Sequence, residues 1–135
     1  MNYEVLNVDD DKMVLFIHEK MMMHSEFCKS PKSFESGHDT LNYIAEHKSK
    51  DKKFIIFLDV NMPELNGWEF MDKLDKMALN SFCHIFIVTS SIDNADKEKA
   101  ESYPVSVGFV EKPLSIEKLK ELKKIEILKD LFPSK

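Results

Sequence analysis

The chain has few of the residues and segments that mark secreted, metal-structured or membrane proteins. Its two cysteines, Cys28 and Cys83, lie in neither a Cys-x-x-Cys nor a Cys/His ligand spacing, so two free thiols in a reducing compartment are expected. The N-terminus lacks the basic and then apolar profile of a signal peptide. No apolar run approaches the roughly 18 residues that a membrane span needs. We therefore predict a cytoplasmic protein with no membrane partner.

The remaining composition is that of an ordinary globular domain. The chain has 135 residues, of which 43% are hydrophobic and 32% charged, and this length fits one domain with a sizeable core. The net charge is −5, and acids and lysines are largely interspersed, which argues against a nucleic-acid-binding arm. Since the sequence contains no internal repeat, low-complexity tract or linker, we predict one domain over residues 1–135.

Strand-like and helix-like hydrophobic patterns alternate along the chain. They predict strands at residues 3–8, 33–35, 54–58, 83–88 and 107–110, and helices at 12–24, 39–47, 68–79, 94–101 and 115–131. This alternation is typical of an α/β fold with a parallel sheet, helices on both faces and right-handed crossovers. The wholly apolar run at 54–58 suits a parallel strand that is covered on both sides.

Polar residues follow four of the predicted strands. These residues are Asp9-Asp10-Asp11, Asp59, Thr89-Ser90 and Glu111-Lys112-Pro113. Because the carboxyl ends of parallel strands share one edge, and open α/β sheets bind ligands at that edge, we expect the four groups to meet. Acids, a hydroxyl and an ammonium in one place suit a divalent cation together with a phosphoryl group.

The convergence of Asp9, Asp10 and Asp59 calls for a compensating charge. Two like charges about 4 Å apart repel by roughly 4 kcal/mol at an effective dielectric of 20, so one carboxyl must stay protonated or a cation must bind. Carboxylate oxygens suit Mg²⁺, which Mn²⁺ could replace. One carboxylate can then attack a phosphoryl group to give an acyl phosphate. Lys112 and Thr89 would bind the phosphoryl oxygens, and the small Ser90 would leave the pocket open.

Asp11 and Asn7 are expected to have structural roles and not to take part in metal binding or phosphoryl transfer. Asp10 or Asp11 is expected to cap the first helix, and of the three consecutive acids Asp11 is the one expected to be a cap and not a metal ligand. Asn7 lies inside a predicted central strand, where an unpaired buried amide costs roughly 1–3 kcal/mol. We expect it to find a hydrogen bond near the acidic edge, but the sequence does not identify the partner.

The motifs at the strand ends also carry a family resemblance. They are Val8-Asp9-Asp10-Asp11, Leu58-Asp59-Val60-Asn61-Met62-Pro63 with Gly67, Val88-Thr89-Ser90, and Gly108-Phe109-Val110-Glu111-Lys112-Pro113. Over essentially its whole length the chain resembles the receiver domain of bacterial two-component response regulators. The resemblance implies a flavodoxin-like, doubly wound, five-stranded parallel sheet with strand order 2-1-3-4-5.

The resemblance also implies a role for each site residue. Asp59 would be the phosphoacceptor, and the Mg²⁺ ligands would be Asp10 directly, Asp9 through water, Asp59, and the backbone carbonyl of Asn61. Thr89 and Lys112 would bind phosphoryl oxygens, with Ser90 beside them, and Thr89 and Phe109 would form the switch. Some residues depart from the family pattern: Phe109 lacks a tyrosine hydroxyl, Ser90 replaces a smaller residue, and Asn7 replaces an aliphatic one.

The implied function is phosphorelay signal transduction. A sensor histidine kinase or phosphotransfer protein would supply the phosphoryl group, and phosphorylation would change binding to a downstream protein. We expect residues 1–135 to form a single receiver domain, monomeric or weakly dimeric, with no output domain and no nucleic-acid partner. The chain would catalyse only its own phosphorylation and dephosphorylation and would not be a turnover enzyme.

Other functions are compatible with parts of the pattern. A haloacid-dehalogenase-like phosphatase shares an Asp-x-Asp, here Asp9-Asp10-Asp11, but needs a second acidic pair after a later strand, where this chain has Lys112-Pro113. A flavodoxin needs a Ser/Thr/Gly-rich phosphate loop after its first strand. A pseudo-receiver, which binds partners without phosphorylation, is distinguished only by experiment, although the intact acidic set argues against it.

Overall fold

The computed structural model describes residues 2–90, 93–125 and 128, which form an alternating α/β fold. The strands are β1 (Asn2–Val8), β2 (Lys32–Phe34), β3 (Lys52–Asp59), β4 (Cys83–Thr89) and β5 (Ser106–Glu111). The helices are α1 (Lys12–His24), α2 (Gly37–His47), α3 (Gly67–Lys76), α4 (Asn94–Glu101) and α5 (Ile116–Leu122), with a short 3₁₀ helix at Asn80–Phe82.

The strands form one parallel sheet in the order β2-β1-β3-β4-β5. This confirms the predicted fold class and strand order. β3 lies at the centre, with Leu6 of β1 opposite Ile56 and Ile85 of β4 on its other side. Because every strand points the same way, β1, β3, β4 and β5 all end at one edge, followed by the polar residues of the predicted site.

Side chains alternate between the two faces of the sheet, and each face is buried against helices. Leu6, Ile56 and Ile87 pack on the face covered by α2 and α3, together with Phe70 and Leu74. Val5, Ile55, Phe57 and Phe86 pack on the opposite face, against Met22 of α1 and Leu119 of α5. The apolar run of β3 is buried on both sides, as predicted.

Polar side chains fix where the helices begin. The carboxylate of Asp11 accepts hydrogen bonds from the amides of Met13 and Val14, which confirms its predicted capping role. Ser36 caps α2 through the amide of Asp39, so this helix begins two residues before its predicted start. Asn66 and Glu69 form a reciprocal capping box at α3.

Helix α3 ends at Lys76, three residues before its predicted end. Ala78 adopts a left-handed backbone conformation with φ 58°. The amide of Leu79 donates to the carbonyl of Leu74 at 3.0 Å, and that of Ala78 donates to Asp75 at 2.9 Å. This is the Schellman ending, usually made with glycine. Since alanine stands at the left-handed position, the sequence contains no glycine to indicate the stop.

The predicted extent of α5, residues 115–131, is wrong within the described part of the chain. Ser115 caps the helix and Leu122 ends it. Beyond it, the amides of Lys124, Ile125 and Leu128 each donate to the residue three positions earlier. The apolar side chains at 119, 122, 125 and 128 are three residues apart, a spacing that tighter 3₁₀-type turns keep on one face. Residues 126, 127 and 129–131 lie outside the described residues.

Exposed apolar side chains are concentrated on α1. Met13 is 64% exposed, Phe16 55%, Ile17 41% and Met23 45%. Within the run of three methionines at residues 21–23, Met22 is fully buried in the core whereas Met23 is exposed. The exposed face begins next to Asp10 and Asp11, directly beside the acidic edge.

An aromatic contact joins α4 to α3. Trp68 of α3 stacks on Tyr103, just after α4, with ring centroids 6.0 Å apart. Lys99 of α4 lies 4.9 Å from the centre of the Trp68 ring, and the Tyr103 hydroxyl donates to Asp72 of α3 at 2.9 Å. The position of α4 is therefore coupled to that of α3 through polar and stacking contacts.

Two further expectations from the sequence agree with the structure. Cys28 and Cys83 are both free thiols, the first partly buried and the second buried. In the part of the chain that the structure describes, each helix is too short or too polar to cross a membrane.

Candidate functional site

The carboxyl edge of the sheet gathers the predicted acids. Asp9 and Asp59 are buried, 3% and 4% exposed, and Asp10 is exposed. One carboxylate oxygen from each of the three lies within 4.8 Å of the others. The structure thus brings Asp9, Asp10 and Asp59 together, as the strand-end pattern predicts.

Lys112 lies between the two buried acids. Its Nζ is 2.7 Å from Asp9 Oδ2 and 3.5 Å from Asp59 Oδ1. Burial lowers the pKa of Lys112, but the hydrogen bond to Asp9 and the charges of both carboxylates outweigh it, so the pKa lies above its ordinary value. The ammonium is therefore charged at neutral pH and balances part of the negative charge.

Asp59 is held at the end of β3 by its surroundings. Its Oδ1 accepts a hydrogen bond from the amide of Asn61 at 3.2 Å. Burial raises the pKa of Asp59, and the charge of Asp9 raises it further, whereas Lys112 and the Asn61 amide act in the opposite direction. The carboxylate form of Asp59 is therefore destabilised in this pocket, and added positive charge would stabilise it.

Asp9 has both oxygens engaged by the protein. Oδ1 accepts from the amide of Asp11 at 2.9 Å, and Oδ2 pairs with Lys112. By contrast, the exposed Asp10 projects from the turn between β1 and α1. Asp9 is the more constrained carboxylate of this pair.

Gly67 allows the start of α3 to approach the end of β3. A Cβ atom at Gly67 would lie 2.8 Å from Cα of Val60 and 3.1 Å from the backbone oxygen of Asp59. No side chain fits there without moving backbone beside Asp59. The glycine of the sequence motif is therefore explained by close packing.

The other predicted residues lie around this cluster. Thr89 is buried at the end of β4, and its carbonyl accepts from the amide of Lys112 at 2.8 Å. Ser90 follows it and is exposed, and Asn61 is also exposed. Phe109 of β5 lies further from the cluster and is half-buried against the core face of α2 and α3.

Phe109 also lines a groove between α4 and β5. The groove has a volume of about 470 Å³, and its lining residues are Lys97, Ala100, Glu101, Ser106, Val107, Gly108 and Phe109. A register shift between Ile85 and Phe86 lets β5 accommodate an extra residue beside it. Phe109 therefore belongs to a strand that ends at the acidic edge of the sheet, and its side chain lines a groove that is open to solvent.

Sequence reasoning gave no partner for Asn7 and missed His18. The Asn7 side chain donates to the carbonyl of Leu15 in α1 at 3.2 Å, which satisfies the buried amide. His18 is 2% exposed, and its Nε2 accepts from the amide of Leu114 at 3.2 Å. The available signal was the helical spacing of Leu15, His18 and Met22, which places the imidazole on the inward face.

The donor set fits a hard divalent cation. Three carboxylates offer oxygen atoms within a space that one ion can span, and oxygen ligands suit Mg²⁺ or Mn²⁺. The cluster of Asp9, Asp10 and Asp59 carries more negative charge than Lys112 neutralises. The residues present are therefore compatible with the predicted cation.

Comparison with known proteins agrees with this geometry. The sequence matches the family described as the response regulator receiver domain over residues 5–124. A response regulator receiver protein from Dyadobacter fermentans is 29% identical, with 98% of this chain and 99% of that one covered and a TM-score of 0.81. A two-component response regulator from Cytophaga hutchinsonii is 28% identical, with 90% and 93% covered and a TM-score of 0.77.

A more distant similarity concerns the fold alone. The chemotaxis protein CheY4 of Vibrio cholerae is 23% identical, with 93% of this chain and 99% of that one covered and a TM-score of 0.72. No curated protein sequence matches this chain significantly.

Proposed function

Since the chain belongs to the response regulator receiver domain family, whose members act in phosphorelay signalling, we propose that it accepts a phosphoryl group on Asp59 in a Mg²⁺-dependent reaction and thereby changes its binding to another protein. The observation that carries the proposal is the position of Asp59. It is a buried carboxylate at the end of the central strand, with two further acids and one ammonium around it.

In the proposed reaction, an Asp59 carboxylate oxygen attacks the phosphorus of a phosphohistidine. The new bond is O–P in an acyl phosphate, and the bond that breaks is P–N of the donor, whose imidazole keeps the electron pair. Asp10, Asp59 and the backbone carbonyl of Asn61 would hold Mg²⁺ directly and Asp9 would hold it through water, and the ion would supply positive charge to the phosphoryl oxygens. Hydrolysis of the acyl phosphate returns the carboxylate, so the chain modifies itself and does not turn over a separate substrate.

Lys112 and Thr89 complete the proposed phosphoryl site. Lys112 already contacts Asp59 at 3.5 Å, so its ammonium is within reach of oxygens bound there. Thr89 ends the neighbouring strand and would donate its hydroxyl to another oxygen. Ser90 is exposed, and its small side chain would leave the pocket open to an incoming donor.

The phosphodonor is proposed to be a histidine kinase or a phosphotransfer protein that contacts α1. The exposed Met13, Phe16 and Ile17 form an apolar face beside the acidic edge. Contiguous exposed apolar side chains of this kind mark protein-interaction surfaces. A protein docked there would lie close to Asp59.

Intact-protein mass spectrometry after incubation with acetyl phosphate and Mg²⁺ tests this function. The wild type should gain one phosphoryl mass, and Asp59→Asn none, because an amide is a poor nucleophile. Lys112→Ala should fold but react far more slowly, because the ammonium no longer neutralises the phosphoryl oxygens. Undiminished labelling of Asp59→Asn would refute the acceptor, and an unlabelled wild type would favour a phosphorylation-independent binding module.

A further inference from the structure

The loop that carries Lys112 is tied to helix α1 by one buried hydrogen bond. His18 Nε2 accepts from the amide of Leu114 at 3.2 Å, although the two residues are 96 positions apart. Both residues are 2% exposed. Leu114 lies two positions after Lys112, so the bond fixes the backbone immediately downstream of the ammonium.

The upstream side of Lys112 is fixed separately. Its own amide donates to the carbonyl of Thr89 at 2.8 Å, continuing the pairing of β4 with β5. The Lys118 ammonium contacts the carbonyls of Glu111 and Pro113 from the solvent side. Of these contacts, the hydrogen bond from the Leu114 amide to His18 is the buried one on the downstream side of Lys112. If His18 were replaced by a side chain without an acceptor, water could not take its place there.

An imidazole is suited to this position because it can remain neutral. Burial lowers the pKa of His18 to about 4, with Asp9 acting to raise it and Lys112 to lower it. Nε2 is then an unprotonated acceptor, and the ring proton resides on Nδ1. A cationic side chain here would have no lone pair for the Leu114 amide.

We propose that His18 is a positioning residue for Lys112: by accepting from Leu114 it holds the ammonium between Asp9 and Asp59 in the geometry that phosphorylation requires. The inference rests on the proposed function, since it assumes that Lys112 acts on the phosphoryl group. Without an acceptor at His18, the buried Leu114 amide must seek another partner, and the loop moves with it. Small displacements of groups that orient reactants cost large factors in rate.

The test compares two variants at this position. His18→Leu fills a similar space but cannot accept a hydrogen bond, whereas the amide oxygen of His18→Gln can. The rate of phosphorylation by acetyl phosphate is measured at saturating Mg²⁺, together with the free energy of unfolding of each variant. His18→Leu should react roughly 10- to 100-fold more slowly than the wild type, and His18→Gln should recover most of that loss.

A second comparison asks whether the effect passes through Lys112. In a Lys112→Ala background, His18→Leu should cause little further loss, since the ammonium that it positions is gone. An undiminished loss in that background, or equal rates for His18→Leu and wild type, would overturn the inference while leaving Asp59 as the acceptor. A wild type that takes up no phosphoryl group would overturn the proposed function and this inference with it.

If His18→Leu fails to fold, NMR spectroscopy of the wild type tests whether His18 Nε2 accepts the hydrogen bond from Leu114. The imidazole ¹⁵N shifts of the wild type at neutral pH should show a proton on Nδ1 and none on Nε2. A protonated Nε2 would rule out the bond to Leu114 and with it the positioning role.

Discussion

Lys112 stands between two carboxylates that would otherwise face each other across the end of the sheet. Its ammonium contacts Asp9 at 2.7 Å and Asp59 at 3.5 Å, while Asp10 adds a third acid nearby. One positive charge against three negative ones leaves an excess of repulsion. The site is therefore built to gain stability when a cation binds.

Removal of Asp10 should abolish stabilisation by Mg²⁺. An ion that binds only the native state adds RT ln(1 + [L]/Kd), about 2.7 kcal/mol at a hundredfold excess over Kd. Mg²⁺ should thus raise the Tm of the wild type but not that of Asp10→Ala. In EDTA, Asp10→Ala should be the more stable of the two proteins, because one repelling charge is absent.

Asp11→Ala is the matched control for this experiment. It loses the helix cap, which costs about 1 kcal/mol, but should keep the shift with Mg²⁺, since Asp11 caps α1 and lies outside the acidic cluster. Equal shifts in wild type and Asp10→Ala would show that the ion acts elsewhere.

His18 should make the fold sensitive to mild acid. Its pKa in the fold is about 4, against an ordinary value of 6.5, so the unfolded chain binds the proton more readily. The stability that depends on neutral His18 is therefore complete above pH 6.5 and is lost progressively as the pH falls towards 4, by about 3 kcal/mol.

Urea titrations at pH 7 and pH 4 measure this dependence. The free energy of unfolding should fall further for wild type than for His18→Gln, whose side chain does not titrate, whereas carboxyl groups contribute in both proteins. The same fall in both would exclude His18 as the source.

At the scale of elements, the hydrophobic periodicity of the sequence and its polar capping residues predicted most of the strands and helices. The residues at which the helices end were predicted least accurately. The start of α1 follows from Asp11, whose side chain caps it, and α4 begins at its predicted residue, where the structure shows a cap by Asp93. Helix α3 ends because Ala78 adopts a left-handed backbone conformation. Alanine is a strong helix former, so the sequence predicts that the helix continues through this position. Local propensity was overridden there by the packing of Leu79, which is buried.

Ala78→Gly should stabilise the protein. The left-handed conformation at φ 58° strains an alanine but not a glycine. After the entropy that glycine adds to the unfolded chain, a gain of about 0.5–1 kcal/mol is expected in the free energy of unfolding. Urea denaturation monitored by circular dichroism measures it.

Ala95→Gly provides the comparison, because Ala95 is an exposed alanine in α4 with ordinary helical geometry. This substitution should lower stability by up to about 1 kcal/mol. Loss of stability in both variants would show that Ala78 does not need the left-handed backbone.

At the scale of the whole molecule, the parallel sheet places the polar residues at the ends of β1, β3, β4 and β5 at one edge, whereas Phe109 lies within β5, further from that edge. The sequence predicted this clustering, because the carboxyl ends of parallel strands lie at the same edge of a sheet. The partner of Asn7 and the contact between His18 and Leu114 did not follow, since they depend on how α1 rotates against the sheet and the β5–α5 loop. Such tertiary contacts between distant residues leave no local pattern.

Phosphorylation should propagate from Asp59 through Thr89 and Phe109 to α4 and α5. Thr89 would move towards the new phosphoryl oxygens, and the Phe109 ring on the adjacent strand β5, which lacks a hydroxyl and is already half-buried, would fill the space. Amide NMR shifts induced by beryllofluoride and Mg²⁺ should extend to β5 and both helices, as expected for a shift between existing populations.

Thr89→Ala is the variant that decides this route. It should confine the shifts to the acidic cluster, because no hydroxyl is drawn towards the phosphate mimic. Distant shifts that survive in Thr89→Ala would mean that the coupling takes another path.

The contact between Trp68 and α4 has a practical consequence for observing the molecule. Trp68 is the chain's single tryptophan, and its ring contacts a lysine ammonium and a tyrosine ring that both belong to the α4 region. Indole fluorescence responds to nearby charge and to stacking. The native protein thus contains its own optical reporter of the contact between α3 and α4. Without any attached dye, its emission can follow how quickly that contact responds to events at the acidic cluster, against which α3 begins.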